Sequence, residues 1–280
     1  MIAVCTNPYR DVDYEVTKTA VNVLEQNGYE VVVCPVFSDS SEISDGYASL
    51  KDVAGKCTLA VALGGDGTIL SVTRDLIGFN VPVLGINMGT MGFLCSVSPE
   101  QTDWTEILLK AAAGSLFLSK RMMLDAEVFR NGELIIKDTA LNDIVVHGYG
   151  ECIKTQIYIN GNLINTLNGD GIVVASPTGS TGYSMSAGGP IVEPTANNLI
   201  ITPICAHSLS ARSYVFSPNE EVRLVIERQL NRRAYLASDG YNLLDVNNND
   251  CVVIRQSKSV ARLYEANESS FYSSISEKLY

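Results

Sequence analysis

The sequence predicts an α/β N-terminal domain, a parallel sheet with flanking helices, followed by a mainly antiparallel β C-terminal domain. Three observations carry that expectation. Up to about residue 115, uniformly apolar runs alternate with stretches of helical period. Beyond it, two Asn-Gly dipeptides each sit between β-like runs, and no convincing helical period returns before the last dozen residues.

The first run, "IAVCTN" (2–7), reads as a short strand. In "DVDYEVTKTAVNVLEQNGY", Val16, Ala20, Val23 and Leu24 share one helical face, and Asn27-Gly28 ends the helix. "EVVVC" and "CTLAVAL" read as further strands, "TILSVTRDLIG" as a second helix and "VPVLGIN" as another strand. Runs this apolar, separated by helices, need cover on both faces, which is the condition of a parallel sheet. The next helix carries Trp104, Ile107, Leu108, Ala111 and Ala112 at core spacing. Ser98, Pro99 and Gln101 form a capping box for it, and Thr102 or Asp103 can cap it instead.

In the second half, "AEVFRNGELIIK" and "TQIYINGNLINTL" each set Asn-Gly between two β-like runs, a strong hairpin signal. "GIVVAS", "SYVFS", "EVRLVIE", "AYLAS" and "DCVVIRQ" continue the strand pattern. The end, "ESSFYSSISEKLY", reads as a short amphipathic helix with Phe271, Ile275 and Leu279 on one face. The expected boundaries are 1–115 for the α/β domain, 116–262 for the β domain and 263–280 for a C-terminal tail.

A chain of 280 residues, 46% hydrophobic and 18% charged, has the composition of a soluble protein that folds throughout, with room for two domains. Its formal net charge of −11, with no Lys/Arg cluster, argues against a nucleic-acid partner. Any anionic ligand must then be held by local backbone N–H groups or a shared metal. The seven cysteines are odd in number and lack a C-x-x-C pair, so they read as buried free thiols of a reducing compartment. With His147 and His207 the only histidines, a zinc site is not expected. The start has no charged n-region, and no apolar run reaches the ~18 residues that span a bilayer. A cytoplasmic protein without a membrane partner is expected.

Several stretches can carry chemistry. Gly64-Gly65-Asp66-Gly67-Thr68 falls where a strand ends and a helix begins, the place where open α/β sheets bind ligands and where helix N–H groups face an anion. Taken alone, the pentapeptide reads more simply as a strand-to-helix turn capped by Asp66. "GINMGTMGFL" (85–94) is a second glycine-rich stretch after a strand, or a structural turn. Asn142 and Asp143 in "LNDIVVHG" can hold a ribose or cap a turn. "NGDGIVVASPTGSTGYSMSAGGPIVEP" (168–194) is the densest region: Ser176, Thr178, Ser180, Thr181, Ser184 and Ser186 offer donors on a backbone that permits close approach, and Tyr183 can stack on a flat ring. His147 and His207 have no triad around them and read as structural, and "SDG" (238–240) reads as a turn.

"GGDGTIL", "GINMGTMGFL", "LNDIVV", "GDGIVVASPTGSTGYSMSAGGPIV", "TPICAHSLS" and "SDG", in that order over nearly the whole chain, resemble a bacterial NAD kinase. The first motif is shared with diacylglycerol-type lipid kinases; the long hydroxyl-rich one is far more specific. The resemblance implies a C-terminal tail that packs back on the first domain and a substrate bound between the domains. It implies ATP-dependent phosphorylation of the adenosine ribose 2′-hydroxyl of NAD to NADP, with Mg²⁺ carried by the ATP phosphates and no direct protein ligand to the metal. NAD and ATP are the implied partners, and a homodimer or homotetramer the implied assembly.

Carried onto this chain, Asp66 is the expected general base, with Gly67 beside it at the substrate. Gly64, Gly65, Gly67 and Thr68 form the expected ATP phosphate cradle. Asn142 and Asp143 contact the ribose and amide portion of NAD, Asp170 faces the nicotinamide side, and Thr178, Thr181, Gly182, Tyr183, Ser184, Met185 and Ser186 line the adenosine. Four positions depart from the usual pattern: Asp143 stands where Glu is more common, Gly182 where alanine is common, and Ser71 and Asn168 where basic residues are frequent. A non-catalytic NAD-binding sensor and a GGDGT lipid kinase are the alternatives. The intact glycine loop with its carboxylate argues against the first, and the lack of a basic or amphipathic membrane-facing segment against the second.

Overall fold

The computed structural model describes residues 1–36, 47–89, 92–95, 97–208, 211–227, 233–266 and 270–279. They form two compact units, residues 1–120 with 261–280, and residues 121–260.

The first unit opens with strand β1 (Ile2–Thr6), helix α1 (Glu15–Gln26), β2 (Val31–Val33), a single turn α2 (Leu50–Val53), β3 (Leu59–Gly64), α3 (Asp66–Asp75), β4 (Val83–Asn87) and α4 (Trp104–Ala112). The strands run parallel in the order β2-β1-β3-β4, with Thr6 opposite Leu63 and Gly64 opposite Asn87. Alternate strand residues feed two separate cores. Ile2, Val4, Val61, Leu63 and Ile86 pack with Ala20 and Leu24 of α1 and with Trp104, Ile107 and Leu108 of α4. Ala3, Cys5, Ala60 and Ala62 face the other way, against Ile69 and Val72 of α3 and Leu50 of α2. Both faces are thus covered, which is why these strands read as continuous apolar runs.

The capping of α4 differs from the sequence reading, which names no N-cap for α1. No side chain of the residue preceding α1 caps it; the buried Asp11 carboxylate reaches forward and accepts the N–H groups of Val16 at 3.3 Å and Thr17 at 2.8 Å. Ahead of α4, the Gln101 side chain accepts the Ser98 N–H at 3.1 Å, as a capping box does, but it closes a separate turn and the helix starts only after Asp103.

The second unit comprises β5 (Phe117–Arg130, from Arg121 on), β6 (Glu133–Ala140), β7 (Asp143–Gly148), β8 (Ile153–Ile159), β9 (Asn162–Gly169), β10 (Gly171–Ala175), one turn α5 (Tyr183–Ser186), β11 (Leu199–Ile204), β12 (Tyr214–Phe216), β13 (Val222–Glu227), β14 (Ala234–Ser238), β15 (Tyr241–Val246) and most of β16 (Cys251–Glu265). Both Asn-Gly hairpins form: Asn131 (φ +52°) turns β5 into β6, and Asn160 (φ +48°) turns β8 into β9. One antiparallel sheet has the order β12-β11-β10-β7-β14-β15, and β16-β13-β8-β9 pair antiparallel in another. Val146, Ile172, Val174 and Ile201 of the first meet Ile157, Leu224, Val252 and Ile254 of the second in the core. Strands β11 and β15 were not foreseen; Pro203 inside "LIITPI" obscures the first, yet it pairs opposite Ile172.

The hydroxyl-rich stretch forms a 3-10 turn at Thr178–Thr181 followed by α5. It covers the second face of the six-stranded sheet, where Ala187 and Val192 pack on Val145, Val173, Ala175 and Ile200. The last helix, α6 (Ser270–Leu279), belongs to the first unit, and the Phe271 ring lies 6.5 Å from that of Phe93. Ile275 is half-buried, and the Leu279 side chain lies outside the described residues. None of the seven cysteines forms a disulfide, but only Cys5, Cys34 and Cys95 are buried; Cys205 is exposed, which corrects the uniform burial expected. No helix among the described residues is long and apolar enough to cross a membrane.

Candidate active site

In the first unit, Gly64 ends β3, Gly65 is extended, and Asp66 is the first residue of α3. The chain arrives fully buried and turns where the helix presents N–H groups that have no intrahelical partner. Asp66 is held by backbone: Phe93 N–H donates to Oδ2 at 2.8 Å and Leu94 N–H to Oδ1 at 3.2 Å. Gly92 is glycine because a Cβ there would fall inside the Asp66 carboxylate. The second glycine-rich stretch therefore grips the carboxylate of the first motif, with Thr90 and Met91 outside the described residues. Gly65 is half-buried, Gly67 exposed and Thr68 buried. Thr68 Oγ1 accepts from Asn7 Nδ2 at 3.2 Å, which ties the loop after β1 to the glycine loop.

In the second unit, the Asn142–Asp143 pair lies where β7 begins. Asp239, read from sequence only as a turn residue, proves to organise it: its carboxylate accepts the N–H groups of Leu141 at 2.8 Å, Asn142 at 2.7 Å and Asp143 at 3.2 Å. Ser176 completes the clamp by donating its hydroxyl to Leu141 O at 2.6 Å. Asp143 is buried, and burial first, then the nearby Asp239 charge, pushes its carboxyl up to about 7. The buried Oδ1 of Asn142 and the buried hydroxyl of Thr178 have no hydrogen-bond partner among the described residues. A polar atom buried without a partner costs free energy, and a ligand group is one way to satisfy it.

The other hydroxyls divide. Ser180 Oγ donates to Val192 O at 3.1 Å, and Ser184 Oγ, fully buried, bonds Thr202 Oγ1 at 2.9 Å, so both serve the scaffold. Thr181 donates to Thr178 O at 3.3 Å. Gly182 and Met185 are half-buried, while Ser186 and Tyr183 are exposed. The Tyr183 ring stacks at 6.5 Å on His147, which stacks at 5.7 Å on Tyr235. The His147 Nδ1 bonds Gly148 O at 2.6 Å, in line with a structural histidine. Asp170 is half-buried between β9 and β10, and its carboxylate, hydrogen-bonded to the Cys205 thiol, pushes that thiol up. His207 lies 3.9 Å from Cys152 Sγ, with no triad around it.

Two family models cover these features: residues 2–111 match the ATP-NAD kinase N-terminal domain, and residues 141–266 match the ATP-NAD kinase C-terminal domain. The chain belongs to the ATP-NAD kinase family. As a member it is a kinase that phosphorylates NAD at the expense of ATP, the activity that the order of motifs led us to expect. An NAD kinase of Ruminiclostridium cellulolyticum is 34% identical over 281 residues, covering 100% of this chain and 97% of the relative. One of Caldanaerobacter subterraneus is 36% identical over 280 residues, covering 99% and 98%. Among solved structures, a yeast NADH kinase complexed with NADH superposes with a TM-score of 0.87 at 25% identity, over 100% of this chain and 87% of that one. An NAD kinase from Archaeoglobus fulgidus in complex with ATP gives 0.74 at 26% identity, over 99% and 98%.

Proposed function

We propose that Asp66 is the general base of this NAD kinase, that the Gly64–Thr68 loop receives the ATP phosphates, and that Asn142, Asp143, Asp170, Thr178 and the run from Thr181 to Ser186, the inward-turned Ser184 hydroxyl apart, hold NAD. The same reading divides the functions at the boundaries expected from the sequence: donor loop in 1–115, dinucleotide residues in 116–262, tail in 263–280. The observation that carries the reading is the Asp66 carboxylate, aimed by two consecutive amides at the first turn of α3. A carboxylate offers about four lone-pair sites, so two remain to accept from a hydroxyl. In the transfer, the ribose 2′-oxygen bonds to the γ-phosphorus, the bond from that phosphorus to the β-phosphate bridge breaks, ADP leaves, and the hydroxyl proton passes to Asp66. Catalysis of this kind rests mostly on positioning, which the amide grip on Asp66 and the Asp239 clamp supply.

Mg²⁺ belongs to the same reading, bound to the nucleotide and neutralising phosphate charge. Mg²⁺ commonly keeps several waters and binds through substrate phosphates with one or two carboxylates, which is the mode this reading gives it. A homodimer or homotetramer in the cytoplasm completes it. Leu163 and Ile164 on β9, 53% and 40% exposed, are apolar side chains that a second copy would cover, and seven cysteines without a disulfide suit a reducing compartment.

The test is a coupled assay for NADP with ATP, Mg²⁺ and NAD, run on the native protein and on Asp66→Asn. The variant keeps the shape and loses the base, so kcat is expected to fall by about a hundredfold or more with NAD affinity unchanged. Near-native kcat in that variant would remove Asp66 from the role.

A further inference from the structure

We propose that Arg10 is a binding residue for the polyphosphate of the donor nucleotide, because the fold anchors its loop at both ends and lays against the glycine stretch after β4 a guanidinium that no carboxylate among the described residues pairs. The inference rests on the donor reading above and adds a residue that no motif contains.

Topology supplies the first argument. In the order β2-β1-β3-β4 the chain leaves β1 toward one edge of the sheet and leaves β3 toward the other. The carboxyl ends of β1 and β3 therefore flank a topological switch point, where open α/β sheets bind ligands. One bank of that crevice is the Gly64–Asp66 loop. The other is the loop from Asn7 to Tyr14.

That loop is pinned at both ends. Asn7 donates its backbone N–H to Leu63 O at 3.0 Å and its side-chain amide to Thr68 Oγ1 at 3.2 Å. Asp11, buried, accepts from the Thr17 N–H at 2.8 Å and the Thr17 hydroxyl at 2.6 Å. Arg10 stands exposed between the anchors. Its Nη1 lies 3.1 Å from where a Cβ of Gly89 would be, and Gly89 has φ +150°, so residue 89 is left without a side chain and the guanidinium rests on the backbone. Among the described residues no carboxylate pairs with it.

Charge supplies the second argument. A triphosphate entering a protein of net charge −11 gains from a local side-chain cation beside the backbone N–H groups and the metal, and Ser71 and Asn168 are neutral. The other cations of the first hundred residues are placed or engaged elsewhere: Lys18 donates to Asp13 O, Lys51 pairs with Asp75, Lys56 precedes β3 and Arg74 lies in the last turn of α3. Arg10 is the one that the parallel sheet carries to the edge bearing the glycine loops. A guanidinium presents paired N–H donors that match phosphate oxygens.

Calorimetric titration with ATP, and separately with inorganic triphosphate, reads this site without turnover. In Arg10→Gln both dissociation constants should rise about tenfold, the loss expected for one charge-assisted donor group. Arg10→Lys should recover part of the loss, and Lys18→Gln, which removes the same charge from an exposed position on the next element, should bind both ligands as the native protein does. The KM for NAD should not move in any of the three. Unchanged affinity in Arg10→Gln, an equal loss in Lys18→Gln, or native protein that takes up neither ligand overturns the proposal. NADP formation is scored separately: native protein that binds ATP but makes no NADP refutes the kinase role of Asp66 while the Arg10 comparison still stands on binding.

Discussion

The Asp239 carboxylate accepts the backbone N–H of Asn142 at 2.7 Å across 97 residues of sequence, and the Asp239 N–H donates back to Asp143 O at 3.0 Å. A hairpin turn between β14 and β15, with Asp239 at φ +48°, thus fixes the start of β7 and the two side chains proposed to hold NAD. Asp239→Asn puts an amide NH₂ where the Leu141 N–H now donates. The KM for NAD is expected to rise about tenfold, with far-UV circular dichroism unchanged, since a hydrogen bond to a charged group contributes about 1.5–3 kcal/mol. Steady-state kinetics against NAD and ATP separately would check that the effect falls on NAD.

Asp143 titrates near pH 7 because burial and the Asp239 charge both oppose its ionisation. Between pH 4 and pH 7, roughly, the folded protein holds a proton that the unfolded chain has released, so stability conferred by this group is present at low pH and is lost as pH rises through about 7. Asp143→Asn should therefore flatten the decline in stability over that window, read as Tm against pH. If the ionised carboxylate accepts from ribose hydroxyls, the KM for NAD rises as pH falls below about 7 in the native enzyme. Asp239→Asn should move that midpoint downward by removing the second cause.

Gly92→Ala tests the amide grip on Asp66 without touching Asp66 itself. An added methyl would collide with the carboxylate, so the side chain or the 92–94 backbone must shift. A displacement of about 1 Å at a catalytic group costs about a hundredfold in rate. The expected result is a large fall in kcat with unchanged NAD affinity; a native kcat would show that the grip has no part in positioning the base.

Gly182→Ala should be silent. Its Cβ would lie 3.3 Å from Gly179 O, 3.5 Å from Asn142 Nδ2 and 3.7 Å from Asp143 Oδ2, contacts that small shifts accommodate. Both kcat and the KM for NAD should stay within about twofold, the range of a substitution that creates neither cavity nor strain.

What was legible in the sequence was what lies in contiguous residues. Gly64–Thr68 could be located because strand, turn and helix follow one another in the chain, and the Asn131 and Asn160 hairpins because a type I′ turn demands that dipeptide. The grip of Phe93 and Leu94 on Asp66 was not legible, since backbone N–H groups carry no residue identity. Nor was the clamp by Asp239, whose partners depend on pairing of β14 with β7. In residues 176–186 the sequence disclosed many hydroxyls but not their direction. The sheet face beneath them turns Ser180 and Ser184 inward and leaves Tyr183 out, and only tertiary packing decides which is which.

Thr178 separates ligand binding from stability most cleanly. Its hydroxyl is buried and finds no partner among the described residues, so in the ligand-free chain it contributes a desolvation cost and no hydrogen bond to them. Thr178→Val replaces it with a methyl of nearly the same shape. Removing an unsatisfied buried hydroxyl is neutral or stabilising, so Tm should hold or rise. If the hydroxyl is reserved for the dinucleotide, the same variant should bind NAD about fivefold to tenfold more weakly, the loss of about one net hydrogen bond. The contrasting case is Ser184→Ala, which strands the Thr202 hydroxyl in the core. There Tm should fall, and NAD affinity measured well below Tm should change less than in Thr178→Val. A Thr178→Val protein that loses stability and keeps its NAD affinity would mean that the hydroxyl serves the fold, and the adenosine-binding role assigned to the 3-10 turn would then rest on its backbone alone.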